Sequence, residues 1–115
     1  MAKVLCTGWD KNLLDMRTML LEAAGHEVRQ ARSQKEVASE CAQRQFDVAV
    51  IGQTVSDRMK RLAAAMVRES CRGIRILELY QPHLGKAVED ADAWLFPQTF
   101  PMTLRYTSAN WWASQ

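Results

Sequence analysis

Residues 46–57, FDVAVIGQTVSD, carry an unbroken apolar run, Val48-Ala49-Val50-Ile51, that ends at Gly52 and passes through a polar loop into a helix-start signal at Ser56 or Asp57. A run that is apolar at successive positions leaves neither face for water, the pattern of a parallel strand covered by helices on both sides. A strand followed at once by a helix start makes a βα unit. The loop between the two falls at the carboxyl edge of the sheet, where open α/β sheets keep their functional crevice. Gly52 stands at that edge and offers no side chain to it.

The same alternation extends along the chain in both directions. Lys3 to Thr7 is a β-type run ending at Gly8. Asp10 then N-caps a helix whose Leu13, Met16, Leu20 and Ala23 recur at helical spacing, and Gly25 stops it. Glu27 to Ala31 is a second strand. Ser33 and Glu36 form a capping box that opens a helix through Val37 and Cys41 towards Gln45. After the strand Phe46–Ile51 comes a third helix, with Met59, Leu62, Ala63 and Met66 expected inward, ending near Gly73. Ile74 to Leu79 is a fourth strand and Ala93 to Phe96 a fifth. Between them Gln81–Asp90 contains Pro82 and Gly85, leaving room for a turn or two of helix. Beyond Pro97 and Pro101 a last helical segment carries Leu104, Tyr106, Trp111 and Trp112.

Strands alternating with helices imply a parallel sheet with right-handed crossovers. Five such units make a doubly wound three-layer sandwich with strand order 2-1-3-4-5. The chain has 115 residues, enough for one core and not for two, so residues 1–115 are read as a single domain. A net charge of +2, with acids interleaved among the basic residues, argues against a nucleic-acid surface. No apolar stretch approaches membrane-spanning length and the N-terminal run is too short for a signal peptide. Cys6, Cys41 and Cys71 lack metal-like spacing and form an odd count, expected as reduced thiols in a cytoplasmic protein.

The segments KVLCTGWDKNLLDMRTMLLEAAGHEV, FDVAVIG, GIRILELY and ADAWLFPQTF, in this order and spacing, resemble a response-regulator receiver domain over nearly the whole chain. The resemblance implies a flavodoxin-like fold. In receivers, two carboxylates after the first strand and an aspartate after the third hold Mg²⁺, and the aspartate takes a phosphoryl group. A hydroxyl after the fourth strand and a lysine after the fifth complete the pocket. Carried onto this chain, the acid pair falls on Gly8 and Trp9, the phospho-acceptor on Gly52, the hydroxyl residue on Tyr80, and the lysine on Pro97 or Phe96. The resemblance therefore implies a degenerate receiver, lacking phosphotransfer chemistry, a metal and a cofactor. It is expected not to be an enzyme. The short segment between Tyr80 and Ala91 further implies a shortened helix four.

Two aromatic groups stand out. Trp9 and Tyr80 should both reach the crevice, either as a pocket for a flat ligand or as filling where the charged cluster is lost. Trp94, Phe96, Phe100, Trp111 and Trp112 gather around the fifth strand and the last helix, either as an interaction surface or as a seal over a small core. Glu78 interrupts an apolar strand and is expected at the sheet edge or paired with a neighbour such as Arg75 or Lys86. His26 is expected to be a solvated turn residue, His83 an isolated loop residue, and Cys6 a buried inert thiol. The expected function is that of a non-phosphorylatable protein-interaction module in bacterial signal transduction, binding a signalling protein or itself. The alternative is a small-ligand sensor in the remodelled crevice.

Overall fold

The computed structural model describes residues 2–52 and 55–95, and all structural statements concern these. The elements run β1 (Lys3–Thr7), α1 (Lys11–Ala23), β2 (Glu27–Ala31), α2 (Gln34–Gln43), β3 (Val48–Ile51), α3 (Asp57–Ser70), β4 (Arg75–Leu79) and β5 (Ala93–Leu95). The strands form one parallel sheet in the order β2-β1-β3-β4-β5, as the alternation of elements predicts. Register is set by the strands' two-residue period. Leu5, Ala49, Ile51 and Ile76 face one core with Val37, Ala64 and Val67 from α2 and α3. Val4, Cys6, Val48, Val50, Leu77 and Leu79 face the other with Leu14 and Leu21 from α1. Both layers are apolar, so β3 is covered on both sides.

Local signals place the helix ends. Leu13 N–H donates to Asp10 Oδ1 (3.1 Å), Glu36 N–H to Ser33 Oγ (3.1 Å) and Met59 N–H to Ser56 Oγ (3.3 Å), each satisfying one of the first-turn donors. The expected capping box is shifted at its return arm: Glu36 Oε1 accepts from Arg32 N–H at 2.8 Å, one residue upstream of the cap. At the end of α1, His26 N–H donates to the Leu21 carbonyl and Gly25 N–H to the Glu22 carbonyl. Gly25 takes φ 96° there, a left-handed stop that a Cβ would oppose.

Several expectations are corrected. The inward face of α1 is Leu14, Arg17 and Leu21, one residue round from Leu13, Met16, Leu20 and Ala23. The doublets Leu13-Leu14 and Leu20-Leu21 fit either register, and burying Arg17 selects the second. Met16, Met19 and Leu20 consequently lie exposed. On α3 the inward residues are Lys60, Ala63, Ala64 and Val67, with Leu62 exposed and Met59 and Met66 only half-buried. His26 is no solvated turn residue: it is buried, and its Nδ1 accepts from Ala2 N–H at 3.0 Å. Cys41 and Cys71 are not separate thiols but a disulfide between α2 and the C-cap of α3. Cys6 is buried and free, as expected. The segment between β4 and β5 goes further than a shortened helix: residues 80–92 form turns with no α-helix.

Candidate functional site

Open α/β sheets place their functional crevice at the carboxyl ends of the strands, here those of β1, β3 and β4. Gly8 and Gly52 are buried there, held against their neighbouring strands because Gly8 N–H donates to Ala31 O (3.3 Å) and Gly52 N–H to Thr7 O (3.1 Å). Thr7 Oγ1 donates to the Val50 carbonyl at 3.0 Å, tying the same two strands by side chain. A Cβ added at Gly52 would stand 3.1 Å from Arg17 Nη1 and 3.1 Å from the Thr7 carbonyl oxygen. Gly52 is not among the glycines with positive φ, so close approach, and not backbone conformation, calls for glycine here. A side chain there would crowd a guanidinium delivered from α1.

Arg17 is 5% exposed, and burial lowers its pKa from the ordinary arginine value, opposed by the negative charge of Asp10. A guanidinium remains protonated under such a shift, so a fixed positive charge lies beneath the crevice. Burial also pushes the Cys6 thiol up to about 12, with Arg17 acting in the opposite direction, so Cys6 is an inert thiol. Asp10, the one carboxylate next to Trp9, spends an oxygen on the cap of α1. These residues do not fit a Mg²⁺ site, which needs convergent oxygen ligands. Among the described residues no group of three or more His, Cys, Asp or Glu side chains could hold a metal ion.

Trp9 and Tyr80 follow the two strands that flank β3. Trp9 follows β1 and is 39% exposed, whereas Tyr80 follows β4, on the far side of β3. Tyr80 shares a cation with Trp94: Lys86 Nζ lies 5.6 Å from the Tyr80 ring centroid and 4.7 Å from that of Trp94. The Trp94 indole N–H donates to the Val88 carbonyl at 3.0 Å, and its ring packs on the core. Trp94 is thus a half-buried anchor of the β4–β5 connection. Phe96, Pro97, Phe100, Trp111 and Trp112, with the last helical segment, lie outside the described residues. His83 is exposed.

Sequence reasoning missed the most polar feature of the interior. Glu78 lies in the β4 register opposite Ile51 and Trp94, pointing into the α2–α3 layer. Its partner is neither Arg75 nor Lys86 but Lys60, whose Nζ donates to Glu78 Oε2 (3.0 Å) and to the Leu79 carbonyl (2.9 Å). The N–H groups of Ala87 and Val88 donate to the same carboxylate at 2.8–3.1 Å. Glu78 therefore fixes the β4–β5 connection by hydrogen bonds where a helix would otherwise fix it by packing. The available signal was spacing: Lys60 shares a helical face with Ala63, Ala64 and Val67, and Glu78 alternates in phase with Ile76.

Neither a protein-family model nor a curated protein sequence matches the chain. Solved structures do. Chemotaxis protein CheY4 of Vibrio cholerae is 28% identical, with a TM-score of 0.74 over 94% of this chain and 96% of that one. A putative response regulator from Chloroflexus aurantiacus superposes with a TM-score of 0.78 at 22% identity, covering 97% and 98% of the two chains. The response regulator TrrA of Thermotoga maritima, crystallised in complex with histidine kinase ThkA, gives 0.76 at 14% identity, covering 96% and 98%. The chain has the flavodoxin-like fold of response-regulator receiver domains, with three α-helices among its described residues. No helix among those residues is long and apolar enough to cross a membrane.

Proposed function

We propose that this chain is a receiver-fold module that takes no phosphoryl group at the end of β3, performs no catalysis, and acts in signal transduction by binding another protein. The observation that carries the reading is the β3 edge. Where the resemblance expects a nucleophilic carboxylate, Gly52 has none, and the Arg17 guanidinium and Thr7 carbonyl crowd the position of a Cβ. Nucleophilic phosphoryl transfer needs an attacking oxygen and a counter-charge in line with it. The residues at Gly8, Trp9 and Gly52 supply neither.

The contact role draws on a face of α1 that no other element among the described residues covers. Met16, Met19 and Leu20, spaced i, i+3 and i+4, present 51%, 70% and 46% of their surfaces to solvent. The complex of TrrA with histidine kinase ThkA makes a signalling kinase a reasonable class of partner for this fold. The aromatic residues Trp111 and Trp112 remain candidates for a second surface.

Incubation with acetyl phosphate and Mg²⁺, followed by intact-mass measurement, should leave the mass unchanged; a phosphate adduct on any aspartate would overturn the reading. In affinity capture from the native cell extract, wild-type protein should retain a protein partner that Met16→Glu/Met19→Glu loses while keeping its circular-dichroism spectrum. A partner retained equally by that variant and lost by Trp111→Ala/Trp112→Ala would move the contact surface to the C-terminal aromatics.

A further inference from the structure

We propose that Cys41 and Cys71 form a reversible thiol–disulfide exchange site, reduced by a dithiol, that sets whether the carboxyl end of α2 is tied to the carboxyl end of α3. The pair joins positions 30 residues apart with Cα atoms 5.2 Å from each other. Each cysteine is about 7% exposed, packed on one side against the apolar layer beneath α2 and α3. On the other side both line a surface cavity of about 420 Å³, together with Arg44, Phe46, Asp47 and Glu69. The pair thus borders the surface and not the centre of the core, on the side where a reagent would approach. The charges around the cavity come in both signs, so access favours no particular charge on the reagent.

Contacts other than the link also hold the two helices on the sheet. Val37 of α2 and Ala64 and Val67 of α3 share the same buried layer. Glu40 of α2 is gripped by Arg29 of β2 through two hydrogen bonds, at 3.2 and 3.3 Å. The remaining thiol, Cys6, lies in the other layer of the core, beyond the sheet from the pair, and cannot intercept the exchange. What the link does hold is the connection from α2 into β3, residues 44–47, which forms a wall of the same cavity.

Both cysteines sit at helix carboxyl ends, where the macrodipole disfavours a thiolate. The first displaced sulfur is therefore a poor leaving group, and a mixed disulfide with a monothiol would tend to revert. A dithiol avoids this. One of its thiolates attacks a cystine sulfur and breaks the Sγ–Sγ bond, and the released thiolate takes a proton from water. The second thiol, as its thiolate, then displaces the other cysteine, which is protonated in turn. Two electrons pass to the protein, and the reagent leaves as its own cyclic disulfide. Oxidised glutathione supplies the reverse reaction. In a reducing compartment such pairs are chiefly transient redox elements.

The test uses the whole chain and dithiothreitol. After treatment with oxidised glutathione, alkylation under native conditions should modify neither Cys41 nor Cys71. With dithiothreitol and no denaturant, both should become alkylatable at a rate well above global unfolding, with the circular-dichroism spectrum retained. Amide exchange within residues 41–47 and 70–73 should rise several-fold and return on re-oxidation. Cys41→Ser should show the exchange of the reduced protein without responding to oxidant. The proposal is overturned if the two thiols stay unpaired in oxidised glutathione, if reduction proceeds only as fast as the chain unfolds, or if exchange in these segments is unchanged on reduction. The measurements on wild-type protein decide it even if the variant does not fold.

Discussion

Lys60 Nζ lies 3.0 Å from Glu78 Oε2, and the two side chains are 4% and 0% exposed. A pair this deep gives up most of its hydration, and its attraction offsets that cost only when the remaining donors and acceptors are also satisfied. Here Lys60 also donates to the Leu79 carbonyl, and Glu78 also accepts from the Ala87 and Val88 amides. Removing one partner strands the other charge. Lys60→Met and Glu78→Gln should each lower unfolding free energy by ~3–5 kcal/mol. The double variant should lose clearly less than the sum, because glutamine can still accept from the Ala87–Val88 amides and no charge is left unpaired. Urea unfolding of the four proteins measures this; additivity within about 0.5 kcal/mol would mean the two groups act independently.

Elements governed by local chemistry were legible in the sequence. The caps at Asp10, Ser33 and Ser56 and the stop at Gly25 stand where their residue types place them. The order of strands followed from the alternation of elements. What was not legible depends on which residue meets which across the layers. Doublets such as Leu20-Leu21 make two helical registers equally apolar, and counting hydrophobic residues favoured the wrong one. Lysine at an inward position is discounted by any such count, yet Lys60 is inward because Glu78 is there to receive it. Cys41 and Cys71, 30 residues apart, carry no spacing signal, and only the packing of α2 on α3 brings them together. Trp9 and Tyr80 stand at strand ends, as read from the sequence, with β3 between their strands.

Gly52 and Arg17 define a second testable relationship. Gly52→Ala lacks a conformational penalty and would gain slightly from reduced unfolded-state entropy, by about 0.4–1 kcal/mol. Against this, its Cβ meets a guanidinium nitrogen and a backbone oxygen, each at 3.1 Å. Overpacking of this kind costs roughly 1–3 kcal/mol, so a net loss near 1 kcal/mol is expected. In Arg17→Leu background the same substitution should cost less but not nothing, since the Thr7 carbonyl cannot swing aside. Thermal or urea unfolding separates the two contributions. Gly52→Asp should be destabilised further and still gain no phosphate from acetyl phosphate, because Gly8 and Trp9 leave the metal without ligands.

The buried His26 links stability to pH. Its Nδ1 accepts from Ala2 N–H, a bond that requires the unprotonated nitrogen, and burial lowers its pKa below the ordinary 6.5. The unfolded chain therefore binds a proton that the folded chain resists. The stabilisation is complete above pH 6.5 and is lost as pH falls from there through the depressed folded value. Asp15, also depressed through hydrogen bonds from Gln30 and Lys11, starts from 3.8 and does not contribute in that window. Melting temperature should thus fall between pH 7 and 5 in wild-type protein, while His26→Gln, less stable at pH 7, should show a flatter profile. Equal slopes for the two proteins would place the pH dependence on another group.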